Sequence, residues 1–390
     1  MIAMTTTIAT ELLTYFKASK ETMVEFLEDL IHYESPSGDR KAQKVLLEFL
    51  GNKLKSIGYY TLYIPGKKTG GCLYARPQNR DREKPIQLLL GHCDTVWKKG
   101  TLSKMPVSKN DGKMTGPGSY DMKAGLTQII FSLQAIHDKS LTSHLSPIIL
   151  INSDEEIGSR ESSHIIKRLA KIVERAFVME PPLGLDGKLK TARKGLGRFT
   201  ITVTGKAAHA GLDPGKGINA IVELSHLVQK LFAMNDFEKG ITVNVGTIQG
   251  GISPNVVAPE SKAVIDVRVA NKEDGEFITE QVYGLKPTIP DVDIKIEGGI
   301  GRPPMERTAR NRQLWQLAKS KALLLGMELE EAVAGGGSDG NTTSAYTATL
   351  DGLGTTGDGA HAQHEFIFMD HLWERTALLT LLLISDSLNN

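Results

Sequence analysis

Three apolar runs constrain this 390-residue chain more than anything else in it. Residues 86–90 (broken only by Gln87), 148–151 and 176–179 each read as a buried strand. Each is followed by acid or histidine. The first leads into Gly91-His92-Cys93-Asp94-Thr95-Val96-Trp97, the second into Asp154-Glu155-Glu156, and the third into Glu180, stopped by Pro181 and Pro182. On a strand, residues i and i+2 share a face, so His92 and Asp94 point one way and Cys93 the other. Imidazole beside a carboxylate is what a metal site needs, although the same pair also serves as a polar strand end satisfied by water. Asp121 adds another acid. It follows a Gly116-Pro117-Gly118 turn and precedes a helical pattern of Leu126, Ile129, Ile130 and Leu133. Three such edges in one strand–helix alternation are hard to explain as solvated loops, because sites sit at the carboxyl edge of open α/β sheets.

The order of periodicities divides the chain. Residues 8–57 read as two helices separated by Ser35-Pro36-Ser37-Gly38, and strands then alternate with helices to about residue 193. A new pattern starts at Gly195, where Phe199, Ile201 and Val203 alternate with Arg198, Thr200, Thr202 and Thr204. A helix at 218–232, strands at 242–249 and 263–269, a helix at 272–283 and a strand at 292–297 follow. Strand, helix, strand, strand, helix, strand is the ferredoxin-like order. Gly299, Gly301 and Pro303 punctuate its exit, and helical pattern resumes at Leu314. The expected fold is α/β. Residues 1-194 and 304-390 form a discontinuous domain, a mixed sheet covered by helices, and 195-303 an inserted α+β domain.

Composition removes several functions. The formal net charge is +1 and no basic tract is interleaved with aromatics, which argues against nucleic-acid binding. The two cysteines, Cys72 and Cys93, do not indicate a disulfide-built secreted fold, and Cys93 is expected to be a buried, inert thiol. In the first twenty residues Thr and Glu interrupt the apolar positions, and Leu12, Leu13 and Phe16 form one helix face. No signal peptide or membrane span is read there, and a cytoplasmic protein is expected. The Gly335-Gly336-Gly337-Ser338-Asp339-Gly340-Asn341 loop lacks the Gly-Lys-Ser/Thr ending of a phosphate cradle; Asp339 is expected to cap the following segment.

Taken together, His92-Cys93-Asp94-Thr95-Val96, Gly116-Pro117-Gly118 with Asp121, Asp154-Glu155-Glu156-Ile157-Gly158-Ser159, Glu180-Pro181, Gly205-Lys206-Ala207-Ala208-His209-Ala210-Gly211 and Gly335-Gly336-Gly337-Ser338-Asp339 carry a resemblance. From about Leu27 onward the chain resembles the co-catalytic zinc aminoacylase/carboxypeptidase family. That family includes glutamate carboxypeptidase, aminoacylase, acetylornithine deacetylase, succinyl-diaminopimelate desuccinylase and tripeptidase, and the glutamate carboxypeptidase branch looks nearest. The resemblance implies that Asp121 bridges two zinc ions, with His92 and Glu180 completing one and Glu156 and a C-terminal histidine the other. Of His361 and His364, the frame of a glycine-rich turn before Glu365-Phe366-Ile367 selects His361. Asp94 would orient His92, Glu155 would be the general base, and a cis peptide would follow Asp121.

The chemistry asks for these residue types independently. Two metals about 3.5–4 Å apart can polarise an amide carbonyl and acidify a bridging water. A carboxylate that is not a ligand must then carry the proton to the leaving amine.

In the inserted domain, His209 read alone is a surface-loop histidine. The resemblance implies instead that it stabilises the oxyanion in a homodimer built through this dimerisation (lid) domain. The resemblance likewise implies substrate contacts from Asn255, Arg268, Arg302 and the backbone of Gly336; Lys188 is a weaker match. Read alone, Asn255 is a turn residue and each arginine a surface ion pair, although an arginine fork also suits a substrate carboxylate. The implied function is a di-zinc hydrolase (cobalt or manganese fit the same ligands) cleaving an amide bond next to a free carboxylate. Its substrate is a peptide or N-acyl amino acid, with release of a C-terminal acidic residue such as glutamate placed first. An N-acyl-amino-acid deacylase of the acetylornithine deacetylase or desuccinylase type is the alternative. A non-catalytic binding or scaffold protein with the same fold would be marked by loss of a ligand or of the base, and none is missing.

Overall fold

The computed structural model describes the backbone of residues 2–389 and the side chains of residues 6–389; Met1 and Asn390, the ends of the expected discontinuous domain, lie outside the described residues. The chain begins with α1 (Ile2–Ala18), α2 (Lys20–His32) and α3 (Arg40–Ser56). The sequence reading expects two helices here. Ser19 splits the first, leaving helical geometry (φ −90°, ψ 1°) without a glycine or proline to announce the break. Next come β1 (Tyr59–Ile64), β2 (Cys72–Pro77), β3 (Ile86–His92), β4 (Ser108–Asn110), β5 (Lys113–Thr115), α4 (Ala124–Asp138), β6 (Ser146–Asn152), α5 (Ser163–Ala170), β7 (Arg175–Val178) and β8 (Leu189–Arg193). The middle of the chain supplies β9 (Gly195–Thr204), α6 (Ala220–Phe232), β10 (Thr242–Gly250), β11 (Glu260–Val269), α7 (Lys272–Tyr283) and β12 (Asp293–Arg302). It ends with α8 (Ala309–Leu324), β13 (Glu331–Ala334), α9 (Asp339–Ser344), β14 (Ala348–Leu350), β15 (Gly357–Asp358), β16 (Phe366–Phe368) and α10 (Met369–Leu383).

Two compact units result: Met1–Thr191 with Arg307–Ala334 and Ser338–Asn390, and Ala192–Glu306 with Gly335–Gly337. The first holds a six-stranded sheet in the order β1-β2-β6-β3-β7-β14. β1, β2 and β6 pair antiparallel, whereas β6, β3, β7 and β14 run parallel. Every residue of β3 and β6 is buried, as strands covered on both faces require. Leu89, Ile149, Ile151 and Phe177 pack with Leu27, Leu126 and Leu378 on one face. Leu88, Leu90, Ile148 and Leu150 pack with Ile166 and Leu169 of α5 on the other. The parallel strands therefore end at a single edge, and the chain leaving that edge carries His92, Asp154-Glu155-Glu156 and Glu180.

The second unit is a four-stranded antiparallel sheet in the order β10-β11-β9-β12. Phe199, Ile201, Val203, Ile265 and Val267 form its core with Leu224 and Leu227 of α6 and Ile278 and Val282 of α7. Its last strand runs past the expected end at residue 297 to Arg302, with Gly298, Gly299 and Gly301 inside it. The physical reason is close approach: a Cβ at Gly298 would lie 2.1 Å from the Arg198 carbonyl oxygen of β9. A second correction concerns α9, whose cap is Ser338, in a capping box with Asn341, rather than Asp339. Asp339 instead accepts hydrogen bonds from Asn152 Nδ2 and Ser159 Oγ.

One buried charge locks the sheet to α10. Arg175, fully buried at the start of β7, donates Nε to Gln87 Oε1 (3.0 Å), Nη1 to Asp386 O (2.8 Å), and Nη2 to Leu382 O (3.0 Å) and Ser385 O (2.9 Å). It thereby satisfies carbonyls that the helix end leaves open. Arg175→Ala is expected to destabilise the protein by roughly 3 kcal/mol or more, since each orphaned buried acceptor costs about 1–3 kcal/mol. Denaturant unfolding of the two proteins side by side checks this.

Candidate metal centre

The turn that presents Asp121 is held from a distant point in the chain. Glu365, fully buried ahead of β16, accepts N–H groups from Gly118 (2.9 Å) and the Trp97 indole (2.8 Å) on one oxygen, and from Tyr120 (2.9 Å) and Asp121 (3.0 Å) on the other. Burial pushes its carboxyl up to about 7, against these donors, which favour the charged form. Gly118 takes the left-handed conformation (φ 75°) that the turn requires, and the Asp121–Met122 peptide is cis.

His92 leaves β3 with Nδ1 3.0 Å from the Asp94 carbonyl oxygen. A carbonyl only accepts, so Nδ1 carries a proton and Nε2 is the nitrogen left to face outward, able to bind a metal ion when the ring is neutral. Nε2 lies 3.2 Å from Asp121 Oδ1 and 3.5 Å from Glu180 Oε1. On the other side, His361 Nε2 lies 3.5 Å from Asp121 Oδ2 and 3.0 Å from Glu156 Oε2. Two triads form, His92–Asp121–Glu180 and Asp121–Glu156–His361, each with ligand atoms within 4.8 Å of one another. Asp121 belongs to both, one oxygen turned to each. His364 is in neither.

The Asp94 side chain does more than flank His92. It is fully buried, receives Ser37 Oγ at 2.7 Å, and accepts the backbone N–H groups of Glu155 and Glu156, each at 3.2 Å. It thus ties the end of β3 to the 3₁₀ turn Glu155–Ile157. Glu155 starts that turn, half-buried, beside Glu156 in the chain but outside both triads. Cys93 points into the opposite core, and burial raises its thiol well above the ordinary range.

The electrostatics call for cations. Burial would push His92 down, yet Asp121, Asp94 and Glu180 raise it well above the ordinary imidazole value. Asp121 and Glu156 raise His361 to about 10. Burial opposes ionisation of Asp121, but His361 and His92 hold it below the usual carboxylate range. His92 Nε2, Asp121 Oδ1 and Glu156 Oε1 are buried without hydrogen-bond partners. Nitrogen–oxygen separations of 3.0, 3.2 and 3.5 Å fit ligands around one ion, since bonds of about 2.0–2.2 Å give tetrahedral edges of about 3.4 Å. The residues therefore fit a pair of divalent ions, and the nitrogen and oxygen donors suit zinc, cobalt or manganese.

The remaining residues of interest lie in the second unit. His209 Nδ1 accepts N–H groups from Gly211 and Leu212, both at 3.1 Å, so its proton is on Nε2 and that exposed nitrogen is a donor. Asn255 adjoins it: Ala210 N donates to Asn255 O at 2.9 Å. Arg268 and Arg302 both pair with Leu196, from opposite sides, and so share one rung of the sheet. Arg268 also holds Asp266 through Nε (2.7 Å) and Nη2 (3.2 Å). Gly336 O accepts from Arg193 Nη1 at 3.1 Å. Lys188, in the first unit, pairs with Asp186 and Glu330. Sequence reasoning missed the N–H-gathering role of Glu365 and the support from Ser37; neither has a spacing signature.

Comparison with known proteins fits this geometry. Residues 191–285 match the family model of a peptidase dimerisation domain. The chain is 29% identical over 351 residues to carboxypeptidase G2 of Pseudomonas sp. (strain RS-16), covering 87% of this chain and 83% of that one. It is 25% identical to the succinyl-diaminopimelate desuccinylase of Nitrosospira multiformis, covering 88% and 92%. Its fold superposes on the metallo-carboxypeptidase Sso-CP2 of Sulfolobus solfataricus with TM-score 0.73 at 16% identity, covering 93% and 98%. The protein is a metal-dependent hydrolase. It is similar over most of its length to M20 peptidases, and its middle segment matches their dimerisation domain.

Glu365→Ala strips the Asp121 turn of its acceptor. It is expected to weaken metal binding by about 10–100-fold, the usual effect of removing a group that orients ligands. Competition with a chromogenic chelator measures this.

Proposed function

We propose that the protein is a carboxypeptidase that hydrolyses an amide bond next to a free carboxylate and releases an acidic C-terminal residue such as glutamate. The observation that carries this reading is Asp121, whose two oxygens serve two triads, with Glu155 beside them. His92, Asp121 and Glu180 would hold one zinc ion, and Asp121, Glu156 and His361 the other. The ions, when bound, would polarise the scissile carbonyl and acidify the attacking water. Glu155 takes the water proton and passes it to the departing nitrogen, a role open to it because it is not a ligand. Asp94 holds the Glu155 and Glu156 backbone through its carboxylate and His92 through its carbonyl, so base and ligands move as one piece.

The second unit would complete the site through a homodimer. His209, with its proton on Nε2, is a suitable donor to the developing oxyanion, a contribution typically of about 3–4 kcal/mol. Arg268 and Arg302, on one rung, would receive the substrate's carboxylate, with Arg268 shared between substrate and Asp266. Asn255 and the Gly336 backbone would complete the substrate contacts. An N-acyl-amino-acid deacylase uses much the same apparatus and differs in the acyl group and the amino-acid side chain that it accepts.

Glu155→Ala should retain its metal yet lose roughly 10²–10⁴-fold in kcat; retained turnover removes it as base. A substrate panel separates the two activities. Dipeptides and folate-type substrates ending in glutamate should exceed N-acetyl derivatives of non-acidic amino acids and N-succinyl diamino acids in kcat/KM, and the reverse order makes the protein a deacylase. Arg302→Ala should raise KM for the glutamate substrates more than it lowers kcat. Homodimer formation is checked by light scattering, with a fully active monomer as the contrary result.

A further inference from the structure

A cavity of about 630 Å³ opens at the opposite edge of the six-stranded sheet, where β3, β7 and β14 begin. That volume falls in the range of small-molecule sites, about 300–1,000 Å³. Five cationic side chains line it. Arg80, Arg82 and Lys84 come from the β2–β3 connection, Lys171 from the connection between α5 and β7, and Arg310 from the first turn of α8. Two carboxylates face them, Glu83 and Glu174. Glu174 is already taken up by Leu388 N and Ser387 Oγ, each at 2.7 Å. None of the five cations has an acidic partner within ion-pair distance among the described residues.

Two of the lining arginines are also partly buried. Arg80 Nε and Arg310 Nε are buried with no hydrogen-bond partner. Their surroundings are fixed: Arg310 donates to the carbonyls of Ser344 and Tyr346, and the Lys171 ammonium sits 5.2 Å over the Tyr346 ring. A cluster of like charges repels itself, and one multiply charged oxyanion relieves that repulsion. Guanidinium and ammonium together match the several acceptor oxygens of a phosphoryl group.

We propose that this cavity binds a small, multiply charged phosphate compound, at a site separate from the metal centre. The test is calorimetric titration of the metal-loaded protein with inorganic phosphate and, separately, with pyrophosphate. Wild type is compared with an Arg80→Gln, Arg82→Gln, Lys171→Gln triple variant. Any capture of the catalytic ions by the titrant is common to both proteins and cancels in the comparison. The expected result is binding of at least one anion to wild type, weakened about tenfold or more in the variant, and further weakened by added sodium chloride. Should the triple variant fail to fold, Lys171→Gln alone, at an exposed position, repeats the comparison with an expected loss of about threefold. Equal affinity in variant and wild type, or no binding of either anion to wild type, overturns the proposal.

Discussion

The structure depends on holding negative charge together. Asp94, Asp121, Glu156 and Glu180 converge where three parallel strands end, and carboxylates at such spacings repel unless cations lie between them. Two histidines alone, each needing a proton to help, are a weak answer. Two divalent ions would be a better one, and the Nδ1–H of His92 on a backbone carbonyl leaves its Nε2 to face them. Much of the first unit serves this point. Glu365 gathers four N–H donors to fix Asp121, Asp94 gathers two to fix Glu155 and Glu156, and buried β3 and β6 give both groups a rigid base.

Division of labour follows from the layers. Parallel strands buried on both faces cannot carry polar groups along their length, so chemistry collects at their ends. The antiparallel sheet of the second unit has helices on one face only, and its other face carries polar side chains such as Arg268 and Arg302.

Much of this was legible in the residues, and the exceptions share a cause. Runs such as 148–151 announce buried strands because both faces must be apolar, and the acids after them stand out against that background. The inserted unit was legible because period-2 and period-3.6 patterns alternate cleanly, down to α7 at Lys272–Tyr283. What stayed hidden rests on long-range contact. Glu365 lies 244 residues from the Asp121 N–H it holds, and Arg175 lies more than 200 residues from the carbonyls it caps. The extension of β12 through Gly298 depends on the neighbouring strand, which no local pattern encodes. The break at Ser19 carries no breaker residue at all.

Metal stoichiometry shows whether Asp121 serves two ions or one. After equilibration with zinc and removal of free ion, elemental analysis of the wild-type chain should give two ions, and Asp121→Ala, which deprives both triads, should lose most of both. A wild-type content of one ion, or an Asp121→Ala content equal to wild type, would contradict the account of Asp121 as the group shared between two sites.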